Sequence, residues 1–117
     1  MTDLRYVILR HEGIDRPHFD LMFETAPGSK LATWRSEVWP IVTSAPVNRL
    51  PDHRPEYLTY EGPISGNRGH VTRVASGTCL IALATPAQWL IQLLPAGPIL
   101  VLRPTAGDQW ELTTYSR

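Results

Sequence analysis

A chain of 117 residues and 13.1 kDa, 43 % hydrophobic and 19 % charged, is long enough for one packed core and too short for two, so a single domain over residues 1–117 is expected. Eleven Lys and Arg balance eleven Asp and Glu, which removes any global electrostatic case for nucleic-acid binding and makes a phosphate-binding surface a local matter. The one cysteine, Cys79, excludes an intramolecular disulfide and makes a thiolate metal centre unusual.

The N-terminus carries no basic stretch followed by a long apolar run. The longest apolar stretch, residues 90–102, is interrupted by Gln92, Pro95, Gly97 and Pro98. A soluble, cytoplasmic protein with no membrane partner is therefore expected. Eleven Pro and eight Gly favour many short strands and turns over long helices.

In chain order, residues 4–10 (LRYVILR) are rich in β-branched and aromatic side chains and predict a strand that delivers the chain to His11. Residues 12–16 form a turn, and Pro17 suits the first position of the next strand. Residues 17–24 (PHFDLMFE) alternate strictly. As a strand they send Phe19, Leu21 and Phe23 to a core face and His18, Asp20, Met22 and Glu24 to a face that is either solvent or chemistry. The Pro-Gly pair at 27–28 marks a turn, and residues 31–35 read as a third strand with Trp34 inward. Residues 36–51, with Pro40, Pro46 and Pro51, read as a loop carrying at most a helical turn. Pro55 suits the first turn of a short helix with Arg54 flanking it, and His53 and Tyr57, four apart, share a face there. Residues 62–69 (GPISGNRG) form a tight loop able to bring backbone N–H groups to a ligand. Five further strands follow at 70–75, 78–84, 88–94, 99–103 and 109–115, a spacing that means a barrel or a sandwich.

His11, His18 and Asp20 offer two imidazoles and one carboxylate within ten residues, a set that suits Mn²⁺, Fe²⁺ or Zn²⁺ and leaves coordination positions open. His53 and Tyr57 add a proton-transfer group and a phenol from a second segment. His70 is either a further ligand or an ordinary strand residue, with the second favoured. Trp34, Trp39, Trp89 and Trp110 are either stacking faces for single strands or core, with core favoured for Trp89 and Trp110. Cys79 reads as core.

The stretches HEGIDRPHFDLMFE and DHRPEYLTYEGPISGNRG, in that order with Trp34 between them, resemble the 3′-phosphoesterase domain family found at the N-terminus of bacterial ATP-dependent DNA ligase D and as stand-alone proteins. The resemblance spans residues 6–69 in ordered motifs and the β-rich remainder more loosely. It implies a compact β-barrel of short, mostly antiparallel strands with one or two short helices. It further implies a divalent metal, Mn most of all with Zn, Co or Fe as alternatives, held by His11, His18 and Asp20, and a scissile phosphate met by His53 and Tyr57. The substrate so implied is a nucleic-acid 3′ end, such as primer–template DNA bearing a 3′-phosphate or a 3′-terminal ribonucleotide, with a separate ligase or polymerase as a further partner in repair.

The chain departs from that pattern where the family has an arginine two residues after the Asp and this chain has Met22. The interval from His11 to His18 is one residue longer, and the lysine-bearing segment before His53 is missing. Arg35 and Arg49 are the stand-ins for phosphate binding, and Glu61 is a candidate partner for a histidine N–H. The alternative reading is a weakened or inactive relative that serves as a binding module for DNA ends or a repair partner.

Overall fold

The computed structural model describes residues 3–116. Nine strands form one antiparallel sheet: β1 (Leu4–Glu12), β2 (His18–Glu24), β3 (Leu31–Ser36), β4 (Ser44–His53), β5 (Gly62–Pro63), β6 (His70–Ala84), β7 (Trp89–Leu94), β8 (Ile99–Ala106) and β9 (Gln109–Tyr115). β1 pairs with β2 on one side and with β6 on the other. The order β1-β2-β3-β4-β9-β8-β7-β6 therefore returns to β1, an eight-stranded ring that β5 extends at one end of β6. The only helical turn among the described residues is a 3₁₀ turn, Pro55–Leu58, with Pro55 at its start and Arg54 before it, as the sequence predicts. No described helix is long and apolar enough to cross a membrane.

The ring is filled from inside by Ile8, Leu21, Phe23, Trp34, Ile91, Leu100, Leu102 and Leu112, all fully buried, with Cys79 among them. Trp34 meets Trp89 and Trp110 edge to face at 5.1 and 5.6 Å. The Trp residues are thus core residues or pack against it. Burial, followed by the nearby Glu24 charge, pushes the Cys79 thiol up to about 11.

Two expectations change, and one open alternative closes. Residues 44–53 are strand rather than loop. Proline is tolerated because β4 has two neighbours only at its centre. Pro46 lies where β9 alone pairs and Pro51 where β3 alone does, so each prolyl nitrogen can face the unpaired side. Residues 70–84 form one strand, not two, because β6 changes partner along its length, from β1 over 70–79 to β7 over 78–84. The outer face of β2 is also not open to solvent. Val7, Leu9, Met22, Leu31, Leu58 and Val71 form a second, smaller core outside the ring, roofed by the 3₁₀ turn and by Ile64.

Glu24 is buried on that outer face. Its carboxylate accepts the backbone N–H of Arg5 at 2.8 Å and that of Gly28 at 2.9 Å, and pairs with the Arg5 guanidinium at 3.4 Å. It thereby ties the β2–β3 turn to the start of β1. Burial pushes this carboxyl up, but the two backbone donors and Arg5 together outweigh it and hold Glu24 below its ordinary value of 4.5. A carboxylate more acidic in the folded chain contributes stability above its unfolded value and loses it as pH falls through the folded one. Glu24→Gln, which cannot accept these bonds as an anion, should cost about 1–3 kcal/mol at pH 7 and flatten the fall of Tm on acidification below pH 4.5. Thermal melts of both proteins from pH 7 to pH 3 check this, and parallel curves would refute it. Cys79 should resist iodoacetamide at pH 8 in the folded protein and react once the chain is unfolded in guanidinium, as intact-mass measurement will show.

A candidate metal centre beside a phosphate-sized cleft

β1 runs two residues further than its apolar pattern suggests. His11 is therefore not in a loop but sits in the last cross-strand pair of the hairpin, opposite His18. The pairs Val7↔Met22, Leu9↔Asp20 and His11↔His18 share the outer face, and the two imidazoles stand 4.9 Å apart. Asp20 follows His18 on the same face. One oxygen lies 3.4 Å from His18 Nε2 and the other 4.0 Å from His11 Nδ1.

The protonation pattern of this trio follows from its partners. His18 Nδ1 lies 2.9 Å from the Arg16 carbonyl and His11 Nε2 lies 2.6 Å from the Arg68 carbonyl. A carbonyl oxygen only accepts, so each of these nitrogens carries the hydrogen and donates it. The other nitrogen of each neutral ring holds a lone pair, and both lone pairs face Asp20. His18 Nε2 and Asp20 Oδ1 are buried with no hydrogen-bond partner, two electron-pair donors face to face out of water. A proton shared between them would close the gap to about 2.7–2.9 Å. Ligands about 2.0–2.2 Å from a common ion lie about 3–3.5 Å from one another. The 3.4 Å gap between His18 and Asp20 matches that spacing; the three donor atoms, all within 4.8 Å of one another, could hold a metal ion if His11 moved in slightly. The carbonyl bonds on the far nitrogens are the supports that orient metal-binding imidazoles.

The loop at 64–69 supplies one of those carbonyls. Ile64 N–H donates to the Gly69 carbonyl at 2.8 Å, closing the loop against β1. Gly69 has φ of 76°, and a Cβ there would lie 2.0 Å from the Glu12 carbonyl oxygen, so only glycine allows this approach. The loop's contribution is thus a carbonyl aimed at His11, where the sequence suggests backbone N–H groups.

A cleft of about 250 Å³ opens beside the trio, lined by His11, Asp20, Met22, Arg35, His53, Tyr57 and Arg68 among others. His53 reaches it through a bulge. Leu31 faces His53 while Thr33 faces Leu50, so β4 carries one extra residue there and its side chains change face. His53 Nδ1 donates to the Pro51 carbonyl at 2.8 Å, which leaves Nε2 with the lone pair. Tyr57, on the 3₁₀ turn, has its ring centre 5.9 Å from that imidazole. Arg35 lies opposite Asp20 with Nε 3.8 Å from its carboxylate. A larger hollow, about 440 Å³, begins on the far side of His18 and Arg35.

Five residues singled out from the sequence, His11, Asp20, Arg35, His53 and Tyr57, therefore line one cleft, while His18 lines the neighbouring hollow of about 440 Å³. Two others do not belong. Arg49 points into the ring, its guanidinium 4.4 Å from the Trp34 ring centre and 5.1 Å from that of Trp89, because it lies before the bulge. Glu61 accepts the Arg73 N–H at 2.9 Å and pairs with the Arg73 side chain at 3.4 Å, while the N–H groups of His11, His18 and His53 go to backbone carbonyls. His70 is exposed at the start of β6 and outside the ligand group. Arg68 is the residue that the sequence did not single out. It sits in the glycine-rich loop at a position no spacing rule connects to His11.

No family model matches the chain, and no curated protein matches it.

Mn²⁺ or Zn²⁺ at about 100 times its Kd should stabilise the protein by about 2.7 kcal/mol, a Tm rise of roughly 8–13 °C for a domain of this size. His18→Ala and Asp20→Ala should abolish the shift. Melting curves with and without metal decide, and an unmoved wild-type Tm would remove the metal centre.

Proposed function

We propose that the protein is a metal-dependent phosphoesterase that processes nucleic-acid 3′ ends, removing a 3′-phosphate or a 3′-terminal ribonucleotide to leave a 3′-hydroxyl. The observation that carries this is the cleft itself: two guanidinium-bearing residues, an imidazole with a free lone pair and a phenol share one 250 Å³ hollow with His11 and Asp20. Its resemblance to the DNA ligase D phosphoesterase domains, drawn from the same residues, supports the reading.

His11, His18 and Asp20 would hold the ion; two imidazoles and a carboxylate suit Mn²⁺, Fe²⁺ or Zn²⁺, and the resemblance to the DNA ligase D phosphoesterase domains puts Mn²⁺ first. When bound, it would supply Lewis-acid neutralisation of the charge that develops on a phosphate oxygen. Arg35 and Arg68 flank the cleft and orient the phosphate through its non-bridging oxygens. His53 Nε2 takes a proton from the attacking water as the new O–P bond forms. The P–O bond to the sugar 3′ oxygen breaks, and solvent in the open cleft returns a proton to the departing oxygen. The Tyr57 hydroxyl donates a hydrogen bond to the phosphate as its charge grows. Met22 cannot take part in this way. It is packed in the outer core with Val7 and Leu9, and Arg35 and Arg68 supply from β3 and the loop the positive charge its position lacks.

With Mn²⁺ and a primer–template carrying a 3′-phosphate, the wild type should release phosphate. His53→Ala should reduce kcat about 10²–10⁴-fold. Arg35→Ala and Arg68→Ala should each cost about 10²–10³-fold, and His18→Ala and Asp20→Ala should abolish turnover. No release by a wild type that still gains Tm with metal would overturn catalysis and leave the reading of a DNA-end binding module, which a gel-shift titration with the same primer–template would then measure.

A further inference from the structure

A second hollow, about 310 Å³, adjoins the cleft and shares Tyr57, Ile64 and Arg68 with it. Its wall is mixed in a specific way. Tyr60, Pro63 and Ile64 give it a flat aromatic and aliphatic surface, and Arg68, with Arg54 and its partner Glu56 at 3.9 Å, stands at its polar edge. Tyr60 leaves 38 % of its surface exposed, yet the ring is fixed at both ends. Its hydroxyl donates to the Pro63 carbonyl, and its edge or face meets Tyr57 at 6.1 Å and 85°. Arg68 is fixed as well, with Nε donating to the Ser65 carbonyl at 2.7 Å and Nη2 3.2 Å from the Ser65 hydroxyl. A rigid, half-exposed aromatic face beside the oriented Arg68 guanidinium matches a nucleobase, which offers a flat π surface and polar edges.

We propose that this hollow is a nucleobase subsite, taking the base of the nucleoside joined to the phosphate in the adjoining cleft, with that base stacked on Tyr60. This rests on the phosphoesterase reading and names what its substrate must carry: the terminal base, not the phosphate alone. The placement has a geometric reason. Tyr57 stands in the wall between the two hollows, so a phosphate beside its hydroxyl leaves the attached sugar at the mouth of the second hollow and the base within it.

The test compares two primer–templates with Mn²⁺, one ending in an ordinary 3′-phosphorylated nucleotide and one ending in a 3′-phosphorylated abasic residue. The wild type should show a KM roughly ten- to hundredfold lower for the base-bearing end. Tyr60→Phe, which keeps the ring, should retain that preference. Tyr60→Ala should lose it while still acting on the abasic end as the wild type does, a readout that a folding defect would also depress. Equal KM values for both ends in the wild type, or an undiminished preference in Tyr60→Ala, would overturn the subsite. Should neither end be hydrolysed, the phosphoesterase reading fails instead. Calorimetric titration with thymidine 3′-phosphate then decides the subsite separately: binding at least tenfold weaker in Tyr60→Ala than in Tyr60→Phe upholds it, and equal binding overturns it.

Discussion

The trio His11, His18 and Asp20 at the centre of the candidate site depends on the register of β1 against β2. Side chains alternate between the two faces of a sheet, so a slip of one residue would carry His18 and Asp20 into the ring and bring Phe19, Leu21 and Phe23 out of it. The hydrophobic cost of that exchange is large, since Leu21 and Phe23 are fully buried against Trp34 and Ile8. Ring closure fixes the same register from the other side, because β1 is held simultaneously by β6 along nearly its whole length. The chemistry outside the ring is therefore positioned by the packing inside it.

That outer face is unusual in being dry. A one-sided barrel strand ordinarily turns its polar residues to water. Here Met22, Leu9 and Val7 meet Leu31, Leu58 and Val71 under the 3₁₀ turn, and His18, Asp20 and Glu24 are buried along the same strand. Glu24 has its four donors. Asp20 and His18 face each other without one. Two carboxylates on one strand, four residues apart, thus differ: Glu24 is held by two backbone N–H groups and by Arg5, while Asp20, with the Arg35 Nε 3.8 Å away, keeps one oxygen without a hydrogen bond beside the His18 nitrogen.

What the sequence makes legible is what local periodicity controls. The alternation of 17–24 places Phe19, Leu21 and Phe23 inward and the His-x-Asp pair outward, and Pro55 marks the start of the 3₁₀ turn. What it conceals is set by tertiary neighbours. Pro46 and Pro51 argue against a strand unless it is known that β4 has a single partner at each end. The bulge that separates Arg49, inside, from His53, outside, leaves no signature in the residues around it. The second core is equally hidden, because Leu58 and Val71 come from segments remote from β2. Arg68 is hidden for the same reason: its carbonyl reaches His11 only because Gly69 packs against the Glu12 carbonyl, a contact between remote segments.

The three histidines of the site have one feature in common that no side-chain motif encodes. His11, His18 and His53 each give their single N–H to a backbone carbonyl, of Arg68, Arg16 and Pro51 in turn. A carboxylate in those places would add negative charge and could itself be protonated or lost by substitution. A carbonyl does neither, so the tautomers are set by chain path and not by residue identity. His18 and His53 each reach back two residues to the carbonyl of the turn or strand that precedes them. His11 instead depends on a loop 57 residues away. Two of the lone pairs are therefore fixed by local geometry, and the third only once β1, β6 and the glycine-rich loop have come together. The group that could hold a metal ion, His11, His18 and Asp20, is complete only in the closed ring, so any metal affinity would depend on the fold as a whole and not on the β1–β2 hairpin alone.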